Sequence, residues 1–285
     1  MALGLKKEDI VWTSPNSFVA SANCAIYCGA SVDFIDIDEK DFNLSIEFLE
    51  KKNVKNVFTI TGGAICFLID AFSRNKNMTY TSVAHEQAAA MMADSYSRLG
   101  PNFSATMVTS GPGATNLVTG LADAMIDSTP LVCITGQVFA HLLGTDAFQE
   151  TDIINITMPV TKWNYQITDA TEIPHILAKA FYLAKTGRPG PVLIDITKNA
   201  QFQSFNYEGY SICNHVRSYR PKPIVRKEFI DIAVQLINEA KKPLVIFGQG
   251  VILGKAENEF KEFIEKSGMP AAWTILGLSA LPTDH

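Results

Sequence analysis

The spacing of apolar residues changes repeatedly between residues 54 and 197, and the changes follow a regular order. Short apolar and β-branched runs alternate with segments in which apolar residues recur every three to four positions, as in an amphipathic helix. The runs that predict strands lie at residues 54–61, 79–85, 103–110, 130–136, 161–167 and 191–197. The segments that predict helices lie at residues 64–74, 86–99, 113–126 and 172–186. This βαβα order, with strands apolar on both sides, predicts an α/β fold in which a parallel sheet carries helices on both faces.

The pattern breaks after residue 200, where aromatic and polar residues replace the regular alternation. Residues 201–225 end in Pro-Lys-Pro before Ile224, which favours extended chain, so we interpret them as an interdomain linker. An amphipathic segment, a strand with a glycine turn and a second helical segment follow at residues 226–285. They predict the start of a second α/β domain, which at this length we expect to be incomplete.

Residues 1–45 form a separate region that reads strand, helix, strand in quick succession. Too few elements follow to cover these strands, so we do not expect this region to build a core of its own.

The composition and net charge of the chain favour some kinds of function and argue against others. Hydrophobic residues make up 47% of the chain and charged residues 19%, which is typical of a folded globular protein. The net charge of −5 comes without a long run of like charges, which argues against nucleic acid or a membrane surface as partner and favours a small ligand. The five cysteines are scattered without a CxxC pair, and no export signal or long apolar span occurs, so we expect a cytoplasmic protein.

Two glycine turns follow predicted strands and open predicted helices. Gly62 and Gly63 form the first, and Gly111, Pro112 and Gly113 form the second, which continues to Asn116. Glycine at such a place lets the backbone turn sharply and approach a ligand closely, although a tight turn without a ligand explains the first pair equally well. The second turn lacks the lysine that a P-loop requires, so it does not predict a nucleotide triphosphate site.

Glu86 begins a predicted helix and is followed by small and apolar residues. A carboxylate at a helix start stabilises the helix dipole, and this alone would explain it. If Glu86 is instead buried beside a ring nitrogen, desolvation raises its pKa and allows it to share a proton near neutral pH. Its neighbour His85 is more simply explained as a packed or surface residue.

Several motifs together give a more specific indication. They lie at residues 62–64 (GGA), 85–89 (HEQAA), 109–124 (TSGPGATNLVTGLADA), 134–137 (ITGQ), 144–150 (GTDAFQE) and 187–192 (GRPGPV). In this order they resemble the large subunits of the acetolactate synthase family, which use thiamine diphosphate. Residues 46–200 resemble the pyrimidine-binding domain of that family, and residues 226–285 resemble a truncated central domain.

The resemblance implies decarboxylation of a 2-oxo acid, with pyruvate as donor, and carboligation to a second 2-oxo acid. Glu86 matches the glutamate that hydrogen-bonds the aminopyrimidine ring of the cofactor. The cofactor-binding residues implied by the resemblance are Gly62, Gly63, Ala64, Glu86, Gly111, Pro112, Gly113, Asn116 and Lys162. Phe148 and Gln149 match catalytic-site residues that face the substrate. Thr61 and Trp163 stand where the family usually has proline and histidine, so the acceptor 2-oxo acid stays open.

The family holds the diphosphate and Mg²⁺ on a further domain with a Gly-Asp-Gly motif, which these 285 residues do not contain. We therefore expect no metal ligands here and a homodimer or a partner chain that supplies the diphosphate-binding domain. Because only the beginning of the flavin-binding central domain is present, the resemblance leaves open whether FAD binds.

Residues 13–23 (TSPNSFVASAN) and 32–38 (VDFIDID) resemble instead a fragment of the sugar-nucleotide aminotransferases that use pyridoxal phosphate. The lysine segment that binds that cofactor is missing, so we expect no transaminase activity. Two hypotheses remain: an enzyme component that works with a separate diphosphate-binding domain, and a non-catalytic fused fragment that keeps only the dimerising and pyrimidine-binding surface.

Overall fold

The structure, a computed structural model, describes residues 10–13, 31–34, 54–75, 77–99, 103–207, 209, 211–282 and 284–285. Strands β1 (Ile10–Thr13) and β2 (Ser31–Phe34) pair in parallel as a small two-stranded sheet. The helix predicted between them lies outside the described residues.

The chain divides into two compact units, residues 1–222 and 223–285. The division falls within the predicted linker of residues 201–225.

A six-stranded sheet forms the centre of the first unit. Its strands are β3 (Val54–Thr59), β4 (Thr79–Ser82), β5 (Phe103–Val108), β6 (Leu131–Gln137), β7 (Trp163–Ile167) and β8 (Pro191–Thr197). Every pairing is parallel, and the spatial order is β4-β3-β5-β6-β8-β7. The predicted parallel sheet is confirmed.

Helices connect these strands. They are α1 (Cys66–Arg74), α2 (Glu86–Arg98), α3 (Pro112–Thr115), α4 (Val118–Ile126), α5 (Ile153–Thr157), α6 (Ile173–Lys185) and α7 (Lys198–Phe202). Short 3₁₀ turns lie at Gly63–Ile65, Ala140–Leu142, Met158–Val160 and Ala170–Glu172.

The core lies in two layers, one on each face of the sheet, because successive residues of a strand point to opposite faces. On one face Ile134 and its neighbours pack with residues of α1 and α6, such as Phe72 and Phe181. On the other face Cys133 packs with residues of α2 and α4, such as Ala90 and Leu121. Strands β5, β6 and β8 are buried throughout, as expected for parallel strands that helices cover on both sides.

The strand order creates a topological switch point between β3 and β5. The chain passes from β3 to β4 on one side and then crosses to β5 on the other side of β3. In open α/β sheets ligands bind in the crevice outside the carboxyl ends of the strands at such a point. The loops after β3 and β5 are therefore where a site is expected.

The second unit contains α8 (Lys227–Glu239), β9 (Val245–Phe247), α9 (Gly250–Leu253), α10 (Glu257–Ser267), β10 (Ala271–Trp273) and a 3₁₀ turn at Ile275–Ala280. Strands β9 and β10 pair in parallel, and Phe247 packs against Phe260 with ring centroids 4.7 Å apart. The apolar residues of α8 are exposed by 38 to 64%: Phe229, Ile230, Ile232, Val234, Leu236 and Ile237.

None of the helices in the described ranges is both long enough and apolar enough to span a bilayer. Three cysteines lie in these ranges, Cys66, Cys133 and Cys213, and all three are free thiols. Burial raises the pKa of the Cys133 thiol to about 12.

Candidate functional site

Three consecutive strand ends bring the predicted site residues together. Gly62 follows β3, Glu86 is the first residue of the helix after β4, and Gly111 follows β5. Because the strands are parallel, these carboxyl ends meet at one edge of the sheet, at the switch point.

Thr109 lies between two of the glycines. A Cβ atom at Gly62 would be 2.5 Å from the Thr109 Cβ, and a Cβ atom at Gly113 would be 2.7 Å from the Thr109 Cγ2. The Ala64 amide donates to the Thr109 hydroxyl over 3.3 Å. Glycine is thus required at both positions by the close approach of Thr109, a residue that the sequence reasoning did not single out.

The Glu86 carboxylate is half-buried and held by one side chain. Its Oε2 accepts a hydrogen bond of 2.9 Å from Nδ2 of Asn116. Its Oε1 faces Gly113, where a Cβ atom would be only 3.3 Å away. Among the described residues Asn116 is the single hydrogen-bond partner recorded for this carboxylate, which leaves Oε1 available to a ligand.

His85 has a local structural role. It is the residue before the first turn of α2, and its Nδ1 accepts from the Gln87 amide over 3.1 Å. This bond satisfies one of the amides that a helix start leaves without an intrahelical partner.

Gly111 lies close to the backbone of Gln149. Gly111 has φ of 59°, in the left-handed region that favours glycine, and a Cβ atom there would be 2.7 Å from the Gln149 carbonyl oxygen. Gln149 itself has φ of 59°. The predicted turn after β5 and the predicted substrate-facing residue are therefore in contact.

The loop that carries Phe148 and Gln149 is closed by its own glutamate. The Glu150 carboxylate accepts from the amides of Gly144 over 2.5 Å and Thr145 over 3.2 Å. Phe148 projects from this loop with 78% of its surface exposed.

The remaining predicted residues differ in their surroundings. A Cβ atom at Gly63 would meet no atom within 4 Å, so this glycine borders open space. The Ala64 carbonyl accepts from Nε2 of Gln201 over 2.6 Å, and Pro112 is exposed at the start of α3.

Lys162 lies at the opposite edge of the sheet. It precedes β7, and its ammonium group donates to the carbonyl oxygens of Leu183 and Thr186, the latter at 2.8 Å. It also lies 3.2 Å from the Tyr219 hydroxyl. The structure therefore does not bring Lys162 together with Glu86 and the glycine turns, and its predicted part in cofactor binding stays a prediction.

In the described ranges no group of three or more His, Cys, Asp or Glu side chains could hold a metal ion. The groups that meet at the switch point are one carboxylate, one amide and the glycines Gly62, Gly63, Gly111 and Gly113. Of these glycines only Gly63 borders open space, and Oε1 of Glu86 lies beside the backbone of Gly113. This set offers a ligand one hydrogen-bond acceptor.

Two parts of the chain match domains of one known group of enzymes. Residues 42–156 match the N-terminal TPP binding domain of thiamine pyrophosphate enzymes, and residues 230–285 match the central domain of the same enzymes. The N-terminal domain match spans the strand ends that carry Gly62, Glu86 and Gly111. Residues 1–66 match the DegT/DnrJ/EryC1/StrS aminotransferase family, and this match overlaps the N-terminal domain match at residues 42–66.

The individual proteins that the chain resembles are acetolactate synthases. The chain is 45% identical over 240 residues to the acetolactate synthase large subunit of Corynebacterium glutamicum. It is 41% identical over 251 residues to the chloroplastic acetolactate synthase of Arabidopsis thaliana, and 41% identical over 240 residues to the large subunit of acetolactate synthase isozyme 1 of Escherichia coli. These alignments cover 84 to 87% of this chain but 37 to 42% of the relatives' length. The resemblance to acetolactate synthase large subunits is confirmed.

Proposed function

We propose that this chain binds the aminopyrimidine ring of thiamine diphosphate at Glu86 and takes part in decarboxylation and carboligation of 2-oxo acids of the acetolactate synthase type. The observation that carries the proposal is the Glu86 carboxylate, fixed through Oε2 by Asn116 and open at Oε1 beside Gly113. The relatives, whose names state this activity, support it.

Glu86 would hold a proton between its Oε1 and a nitrogen of the ring. The Asn116 bond fixes the carboxylate plane, so the carboxylate needs little reorientation when the ring arrives. Gly113 presents only backbone beside Oε1, and Gly63 leaves open space on the side of β3. Thiamine diphosphate, when bound, supplies a carbanion that adds to the oxo carbon of the substrate and accepts the electron pair when carbon dioxide leaves.

Phe148 and Gln149 are proposed to face the 2-oxo acid. The Gln149 backbone lies against Gly111, which places this loop beside the turn that adjoins Glu86. The exposed Phe148 ring would cover the substrate and exclude water from it.

The diphosphate and Mg²⁺ are proposed to bind on a further domain, on this polypeptide or on a partner. The relatives are longer than the part that this chain matches, since the alignments cover 37 to 42% of their length. In this arrangement each part of the cofactor is held by a different domain.

The test is calorimetric titration with thiamine diphosphate and Mg²⁺, together with pyruvate consumption and acetolactate formation. Glu86→Gln should weaken binding about tenfold or more, because a hydrogen bond to a charged group is lost. It should reduce turnover by at least about a hundredfold, as expected when a proton-transfer group is removed. Glu257→Gln is the matched control, because Glu257 is likewise the first residue of a helix and half-buried, and it should change neither quantity.

A second candidate function is a non-catalytic assembly component. The exposed apolar residues of α8 favour it, because an uncovered apolar face of this kind is typical of a surface that associates with another polypeptide. Both measurements are repeated with a diphosphate-binding domain from an acetolactate synthase added in trans. Absence of both binding and turnover under these conditions would support the second candidate and reject the first.

A further inference from the structure

A buried carboxylate lies beyond the Glu86 site. Asp195, on β8, has no exposed surface. Its Oδ1 accepts from the Thr135 hydroxyl over 2.6 Å. Its Oδ2 accepts from Nε2 of Gln166 over 2.8 Å and from Nε2 of Gln137 over 3.2 Å. Four side chains of three adjacent strands, β6, β7 and β8, are thus joined at one point.

Gln137 carries this network out of the sheet. Its Nε2 also donates to the Thr151 carbonyl oxygen over 3.0 Å, so both protons of the amide are used. Its Oε1 accepts from the Val138 amide over 2.9 Å. Because Oε1 must face the Val138 amide and Nε2 must face Thr151 and Asp195, the Gln137 amide has a single satisfied orientation, and Asp195 is one of the three groups that fix it.

Thr151 stands two residues after Gln149, whose backbone lies against Gly111. A continuous set of contacts therefore runs from Asp195 through Gln137 to Thr151, and along the chain to Gln149. The Glu150 carboxylate closes the other end of the same loop through Gly144 and Thr145. Glu150 therefore holds the beginning of the loop, and Gln137, which is bonded to Asp195, holds its end at Thr151.

We propose that Asp195 and Gln137 are positioning residues, which fix the segment from Gln149 to Thr151 and so set the face that the site presents to its substrate. The consequence for a 2-oxo acid rests on the proposed function. Neither residue touches the Glu86 carboxylate, whose recorded partner is Asn116. They should therefore affect the substrate side of the site more than the binding of the pyrimidine ring.

Gln166 offers a matched control. It donates to the same Asp195 oxygen as Gln137, but the contacts recorded for its side chain do not include the loop. Gln137→Met and Gln166→Met each remove one amide donor from Asp195, and only the first removes the donor to Thr151. Only Gln137→Met also removes the acceptor of the Val138 amide, so the two variants are compared by local exchange in the loop and not by overall stability.

The experiment is amide hydrogen exchange over residues 144–153 in the full chain. Gln137→Met should increase exchange in this segment about tenfold, the equivalent of one lost hydrogen bond, while Gln166→Met should leave it within about twofold of the wild type. Equal protection of the segment in the two variants would overturn the proposal. Because exchange needs no cofactor, this outcome is independent of whether the chain has activity.

A double variant covers the case in which Gln137→Met fails to fold. When Asp195→Asn is combined with Gln137→Glu, the introduced carboxylate accepts from the introduced amide and from the Val138 amide but has no proton for Thr151. When the Gln166 amide turns over, so that its Oε1 accepts the second proton of the introduced amide, the buried groups are paired again while the Thr151 carbonyl is not. This variant should therefore fold and still exchange fast at residues 144–153. A protected loop in the folded double variant would also overturn the proposal.

The proposal predicts different effects on the KM for pyruvate and on the affinity for thiamine diphosphate. In Gln137→Met the KM for pyruvate should rise about tenfold while the thiamine diphosphate affinity stays within about twofold, whereas Gln166→Met should change neither. If the wild-type chain binds no cofactor and consumes no pyruvate with the diphosphate-binding domain added in trans, the proposed function fails, and the exchange comparison still decides whether Asp195 and Gln137 hold the loop.

Discussion

Gly120 lies against Ala90, so close that a Cβ atom at position 120 would be 2.4 Å from the Ala90 Cβ. This contact joins α4 to α2. Glu86 is the first residue of α2, and Asn116 lies just before α4. The distance between the two helices therefore determines whether Asn116 reaches the Glu86 carboxylate.

Gly120→Ala should force α2 and α4 apart. Overpacking at a buried contact costs about 1 to 3 kcal/mol, which should appear as a lower urea midpoint with an unchanged slope. Thiamine diphosphate affinity should fall as well, because the Glu86–Asn116 bond lengthens. Gly63→Ala is the control for stability, because a Cβ atom there meets no atom within 4 Å. An unchanged midpoint in Gly120→Ala would contradict the close packing.

Arg98 connects the same two helices at their other ends. It donates to Asp94 on its own helix over 2.5 Å and to Asp127, after α4, over 2.7 Å. Burial by itself would lower the pKa of the Arg98 guanidinium, but the bonds and charges of Asp94 and Asp127 outweigh it and raise that pKa.

Arg98→Met should destabilise the first unit by about 2 kcal/mol, because Asp94 is left buried without its cation. Thermal unfolding of the variant measures this loss. Lys227→Met removes an exposed pair with Asp231 and should cost less than about 0.5 kcal/mol. Similar losses in the two variants would show that the Arg98 interactions are only surface ion pairs.

Gly113→Ala separates stability from ligand binding. The added methyl group would lie 2.7 Å from the Thr109 Cγ2 and 3.3 Å from the Glu86 Oε1. Adding Thr109→Ser removes Cγ2 and should recover much of the lost stability, while thiamine diphosphate binding stays weak because the methyl group still occupies the space beside Oε1. Recovery of affinity together with stability in the double variant would argue against a ligand beside Gly113.

Asp195 should make stability depend on pH in the acid range. Burial raises its pKa from 3.8 to about 6, although the bonds from Thr135, Gln166 and Gln137 lower it in part. Between these values the folded chain binds more protons than the unfolded chain, so the free energy of unfolding falls as pH rises. The fall should total about 3 kcal/mol between about pH 4 and pH 6.

Unfolding of the wild type and of Asp195→Asn, measured from pH 4 to pH 8, tests this. The wild type should lose stability relative to the variant as pH rises through about 6, because the variant has no group that titrates there. The Thr135 hydroxyl is able to turn and accept the proton on Oδ1, so both amide bonds to Oδ2 persist in acid. A constant difference between the two proteins would exclude a raised pKa.

The parallel sheet and its two helical layers follow from the sequence because β5, β6 and β8 are apolar on both sides, a pattern that only covered strands show. The spatial order of the strands does not follow from it, since the jump across β3 depends on long-range pairing. The glycine turns were recognisable because each follows a strand and opens a helix. The sequence did not show which atoms these glycines approach. Thr109, an ordinary threonine at a strand end, is the clearest example.

The hydrogen-bond network of Asp195 was not predictable from the sequence for a related reason. Within an apolar strand a single aspartate gives no indication of its partners, which come from two other strands. For Lys162, in contrast, the sequence did give an indication. Its motif indicates a cofactor contact, yet its position before β7 places the side chain at the helix end formed by Leu183 and Thr186. Local sequence does not specify which edge of a sheet a residue will occupy.

The groups around the Glu86 carboxylate are gathered from a single short stretch of the chain, between Gly62 and Asn116. Three successive strand-to-helix turns supply them, and none of the residues named there precedes β3. All of these groups therefore lie on one continuous segment of the chain. The sequence that precedes β3 can therefore differ without removing any member of the group.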